Sequence, residues 1–122
     1  MVKLRYFTKD EINLVSFGCE DGYDRMSIKA LLKFDELRHQ LGFPLVPTCA
    51  FRTFEFDKLK GRSGNSTHTK GIAMDFSVPD HDTAMRIMSK AYDLGFRGIA
   101  YNIKRKFVHV DCRDGDLAMW QY

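Results

Sequence analysis

Two stretches of this chain alternate apolar and polar residues, and two others repeat apolar residues at helical spacing. Ile72, Met74, Phe76 and Val78 are separated by Ala73, Asp75 and Ser77, a period of two that predicts a half-buried strand. Asp75 then points away from the apolar face. Phe107-Val108-His109-Val110-Asp111-Cys112 alternates in the same way, with His109 and Asp111 on one face and Val108, Val110 and Cys112 on the other. From Ser27 to Leu41, Ile28, Leu31, Phe34, Leu37 and Leu41 recur at steps of three or four, and Leu32 widens the stripe. That pattern predicts a helix capped by Ser27 and ended by Gly42, with Lys29, Lys33, Glu36, Arg38 and His39 on a solvated face. A second helix is expected from a cap at Asp80 or Asp82 to about Leu94. Its apolar face is Ala84, Ile87, Met88, Ala91 and Leu94, and Gly95 stops it.

The remaining elements are shorter. Thr8 with Glu11 fits a capping box for a helix from Lys9 to about Val15, and Phe17 to Gly22 reads as loop. Pro44 to Phe51 is extended, with two prolines that suit an edge or the start of a strand. Phe54 to Lys60 has no assignable structure, and Gly61 to Asn65 is a polar loop. Gly98 to Tyr101 predicts a strand, Asn102 to Lys106 a turn, and the His109 strand returns antiparallel. Met119 and Trp120 in the tail are expected to pack back onto the body. Helices and strands alternate only loosely and short turns join the late strands. The expected class is therefore α+β, with a small, mostly antiparallel sheet and flanking helices.

Composition narrows the picture without changing it. A length of 122 residues suits one domain, residues 1–122. No apolar run approaches the roughly 20 residues needed to span a bilayer, so no membrane insertion is expected. The first ten residues carry no apolar leader or cleavage site, so no signal peptide is expected. Cys19, Cys49 and Cys112 are odd in number and lack a Cys-x-x-Cys spacing, which reads as isolated thiols made in a reducing compartment. A net charge of +3 reads as ordinary solubility. The one basic cluster, Lys104, Arg105 and Lys106, has no aromatic interleaving, so nucleic acid is not an expected partner.

The candidate chemistry lies in the two alternating stretches. His68 sits on the polar loop before the first strand, and a carboxylate on a non-core face, as at Asp75, needs water, a cation or a metal. If the strands are neighbours, His68, Asp75 and His109 can converge. Two imidazoles and one carboxylate with an open fourth position are the ligand set of a catalytic zinc, which polarises carbonyls and acidifies water.

Ser66-x-His68, followed by Gly71, Ala73 and Asp75 and later by His109-Val110-Asp111, resembles the zinc D-alanyl-D-alanine carboxypeptidases and their endolysin relatives. The resemblance runs from the helix near Ser27 to Asp111. It implies a hedgehog-like fold, Zn2+ held by His68, Asp75 and His109, and hydrolysis of an amide bond in peptidoglycan peptides. Arg52, in Cys49-Ala50-Phe51-Arg52-Thr53, matches an arginine that the family places there, and it implies a grip on a carboxylate or oxyanion. Ser66 matches a serine that helps hold substrate; its alternative is a hydroxyl bracing the loop. Many relatives carry a general base two or three residues before the last His, where this chain has Phe107 and Lys106. Asp111 then serves as base or orients a ligand imidazole. The enzyme is expected to be a monomer, made in the cytoplasm and acting at the cell wall after release. The rival reading is a zinc-containing, catalytically inactive wall-binding or structural module.

Overall fold

Side chains that precede the helices fix where they start. In a computed structural model, which describes residues 3–122, Thr8, Ser27 and Asp80 have extended backbone and accept from the amides of Glu11, Ala30 and Thr83. Met1 and Val2, part of the stretch read as lacking a leader, lie outside the described residues. Each cap contributes about 1 kcal/mol by satisfying an amide the helix leaves unbonded. The elements in order are α1 (Lys9–Leu14), α2 (Gly22–Arg25), α3 (Ile28–Leu41), β1 (Val46–Cys49), α4 (Phe54–Leu59), β2 (Ala73–Ser77), α5 (His81–Asp93), β3 (Gly98–Asn102), β4 (Phe107–Asp111) and β5 (Ala118–Gln121). Gly42 ends α3 with φ +76°, a conformation that costs glycine little.

The strands form one sheet in the order β1-β2-β4-β3-β5. All neighbours are antiparallel except β3 and β5, which are parallel. One sheet face presents Met74, Phe76, Val108 and Val110 to Leu31, Phe34 and Leu37 of α3 and to Ala84, Ile87 and Ala91 of α5. Phe34 is central, with ring centroids 6.0 Å from Phe76 and 5.2 Å from Phe96. A large apolar side chain buried this completely stabilises the fold by about 1.5–3 kcal/mol. The α+β class and the mostly antiparallel sheet expected from the patterning are present.

Several details differ from the sequence reading. Ile28 and Leu32 are 57% and 48% exposed, so they do not belong to the buried stripe of α3. The helix buries a narrower face, and the place one turn after Leu31 is taken by buried Asp35. That carboxylate accepts from the backbone amides of Arg5 and Tyr6 and from Arg5 Nε at 2.9 Å, tying the N-terminal segment down. The unassigned Phe54 to Lys60 stretch forms α4, capped by Thr53, whose side chain accepts from the Phe56 amide. Phe17, read as loop, forms an isolated parallel bridge with Arg52. In the tail, Trp120 packs back but Met119 is 57% exposed, because successive residues of β5 face opposite sides of the sheet.

Candidate metal centre

The second sheet face carries the polar groups. Asp75 pairs directly with His109, His109 with Ala100, and Ala100 with Trp120. On the other side Asp75 pairs with Cys49, in a register set by an irregularity between Pro47 and Cys49. One transverse row therefore reads Cys49, Asp75, His109, Ala100, Trp120. Alanine at position 100 leaves room for the Trp120 ring to lean towards His109, with centroids 5.3 Å apart. Asp111 lies between Ala73 and Gly98, and a Cβ on Gly98 would overlap its carboxylate. Small neighbours make space for the large polar groups of β4.

His68 enters from the loop before β2. Gly71 allows this in two ways: its φ is +71°, and a Cβ there would meet the carbonyl of Arg25 at 2.8 Å. The Ser27 amide donates to the Gly71 carbonyl, fastening the loop to the start of α3.

His68 Nε2 lies 3.1 Å and His109 Nδ1 2.9 Å from the same atom, Asp75 Oδ1. All three side chains are buried. The opposite nitrogens are already committed. His68 Nδ1 is 2.6 Å from the Ala50 carbonyl, which accepts and so fixes the proton there. His109 Nε2 is 2.7 Å from Asp111 Oδ2, and that carboxylate also accepts from Arg113 Nε and Nη2. With neutral imidazoles, two nitrogen lone pairs would face one carboxylate oxygen. The arrangement requires positive charge at that point, as extra protons or as a cation.

The ionisation directions agree. Burial alone would raise the Asp75 pKa, but the bonds from His109 and His68 outweigh it and hold it well below the usual carboxylate range. Burial would lower that of His109, but its bonds to Asp111 and Asp75 raise it. Asp111 is likewise lowered against its burial, by Arg113 and His109.

The family model described as Peptidase M15 matches residues 5–111. The chain belongs to the peptidase M15 family. No curated protein matches it. M15 peptidases are zinc-dependent, and the donor chemistry fits that metal: imidazole nitrogens and a carboxylate oxygen, with further partners orienting the imidazoles. A second set in this M15 chain shares two members with the first. Cys49 Sγ, His68 and Asp75 offer ligand atoms within 4.8 Å of one another. Cys49 Sγ lies 3.7 Å from His68 Nδ1, the nitrogen turned to Ala50. Burial, and secondarily the charge of Asp75, push its thiol up to about 12, so it would have to lose a tightly held proton to bind.

The other expected site residues of the M15 chain surround the same point. Arg52 Nη2 donates to Ser66 Oγ at 3.3 Å, and both line a cleft of about 480 Å³ with His68, Asp75 and His109. Beneath it, fully buried Asp57 approaches Arg52 Nε at 3.1 Å, as an ion pair misaligned for a hydrogen bond. Asp57 was not foreseen. Arg113, two residues past β4, also lines the cleft and was missed, as were Trp120 and the adjoining Tyr122, since β5 reaches the site only through sheet pairing. Asp75 is the only carboxylate among the described residues lining this cleft, and Asp111 lies behind His109, fully buried.

Proposed function

We propose that this chain is a zinc peptidase that hydrolyses an amide bond in the peptide stems or cross-links of bacterial peptidoglycan, as a carboxypeptidase or an endolysin-type endopeptidase. The observation carrying the proposal is the convergence of His68 Nε2 and His109 Nδ1 on one oxygen of Asp75, with each second nitrogen held by its own acceptor. His68, Asp75 and His109 would hold the zinc, which supplies Lewis acidity towards a peptide carbonyl and water.

The protein's own groups do the rest. Arg52 presents its guanidinium to the cleft, where it binds a substrate carboxylate or the oxygen that gains charge as the amide is attacked. Asp57 holds that guanidinium from below, and Ser66 fixes its outer end. Asp111 acts as a positioning residue: locked by Arg113, it keeps the proton on His109 Nε2 and turns Nδ1 inwards. Trp120 walls the site on the β5 side and limits water there.

The test is release of new amino or carboxyl termini from peptidoglycan by the zinc-loaded protein, abolished in His68→Ala. Equal release by that variant contradicts the mechanism. One observation favours the rival reading, an inactive wall-binding module: Lys106 stands where relatives carry a base, and no second carboxylate among the described residues lines the cleft. Wall binding by the zinc-loaded protein without any turnover would select that reading. Synthesis in the cytoplasm and action at the cell wall after release belong to the same proposal.

A further inference from the structure

A second cleft, of about 490 Å³, adjoins the candidate centre and shares Arg52, Arg62, Asp75 and Phe107 with it. It opens between α4 and the turn joining β3 to β4. Lys60, Arg62, Arg105 and Lys106 line it, and all four are exposed. None of the four has a carboxylate partner among the described residues. The only carboxylate in the lining is Asp75, which faces the imidazoles. The charge of Arg52 is already met from below by Asp57.

The floor of this cleft is aromatic. Phe17 and Phe56 stack at 5.3 Å, and Phe107 stands at the boundary with the first cleft. Lys106 is the one non-glycine residue with positive φ among the described residues, at +53°. Glycine or asparagine would hold that conformation with less strain, by about 1 kcal/mol. The backbone there is fixed by the Val78 amide, which donates to the Lys106 carbonyl at 2.9 Å. A lysine kept in a strained turn places a cation where the neighbouring chain already supplies three.

We propose that this cleft is a subsite for an acidic residue of the peptide substrate, on one side of the scissile amide. This rests on the peptidase reading. A carboxylate on a short apolar stem matches a basic rim over an aromatic floor. At about 490 Å³ the cleft holds a short segment of peptide, not the long basic stripe that tracks a nucleic-acid backbone.

The experiment compares two peptides that differ only in one glutamate or glutamine beside the cleaved bond. Binding to the zinc-loaded protein is read from the fluorescence of Trp120, the chain's one tryptophan, and hydrolysis is read separately. The expected preference for the glutamate peptide is about tenfold at low ionic strength, shrinking as salt is added. It falls towards unity in the Lys60→Gln, Arg105→Gln, Lys106→Gln triple variant. Lys106→Gly removes one charge while relieving the strained φ, so a lowered preference in a variant at least as heat-stable as the parent excludes misfolding as the cause. Equal binding of the two peptides, no binding of either, a preference unchanged in the triple variant, or duplex DNA competing as well as the acidic peptide overturns the subsite. Preferential binding without cleavage supports the subsite and removes the peptidase reading. Cleavage of both peptides with equal efficiency and equal binding does the reverse.

Discussion

Removing Asp57 should damage both the fold and the grip on substrate. Its carboxylate is fully buried, neither oxygen has a hydrogen-bond partner, and the Arg52 guanidinium lies 3.1 Å away. At an effective dielectric constant of about 20, opposite unit charges at that separation attract by roughly 5 kcal/mol, before desolvation is subtracted. Truncation to alanine leaves Arg52 without its counter-charge, and breaking a buried pair in this way costs about 3–5 kcal/mol. Arg52 keeps a side-chain exposure of 12% and its bond to Ser66, so part of its charge can turn to water. Asp57→Ala should therefore lie near the lower end, at about 3 kcal/mol. Urea unfolding of the metal-free protein measures this, with an unchanged m-value as the control. Peptide hydrolysis by the variant should show a raised KM, because Arg52 loses its orientation, while zinc affinity stays near that of the parent. In a double-mutant cycle with Arg52→Ala, the coupling should be at least about 1 kcal/mol. A loss under about 0.5 kcal/mol, the level of an ordinary surface substitution, with unaltered KM would refute the reasoning.

Three further outcomes follow from neighbouring contacts. Gly98→Ala places a methyl group against the Asp111 carboxylate and should cost about 1–3 kcal/mol in thermal or urea unfolding, with weaker zinc binding. Asp111→Asn should weaken zinc binding by about 10–100-fold in chelator competition, because it no longer orients His109 as a carboxylate does. Asp35→Asn bears on pH. Burial raises the Asp35 pKa, but its bonds to Arg5 and Tyr6 win and lower it, so its stabilisation is full above the unfolded value of about 3.9 and is lost as pH falls through the lower folded value. The asparagine variant should be less stable at neutral pH and should lose less stability on acidification; parallel acid limbs for the two proteins would contradict this.

What was legible in the chain was local. Thr8, Ser27 and Asp80 announced their helices because a cap and its amide lie three residues apart. The faces of β2 and β4 followed from strict alternation, which put Asp75 and His109 on one side before any register was known. Arg52 and Ser66, taken from family resemblance, meet at 3.3 Å. What escaped depended on distant pairing. Six residues of α4 are too few to display a helical period, though Thr53 offered a capping signal. The contribution of β5 rests on a parallel pairing with β3, which four residues do not encode by themselves. Cys49 comes opposite Asp75 only because the register shifts beside Pro47. Asp35, one turn beyond Leu31 on the apolar stripe of α3, was a readable sign of a buried carboxylate needing partners; Ile28 and Leu32 misled because a wide stripe does not say how much of it is covered.

The central claim is that His68, Asp75 and His109 close around one zinc ion. Anomalous diffraction at the zinc edge from crystals of the zinc-loaded protein tests it most directly. The account predicts one peak about 2.0–2.2 Å from His68 Nε2, His109 Nδ1 and an Asp75 oxygen, with Cys49 Sγ outside the bonding distance of about 2.3 Å. A peak bonded to Cys49, His68 and Asp75 without His109, or no peak at this face of the sheet, would contradict it.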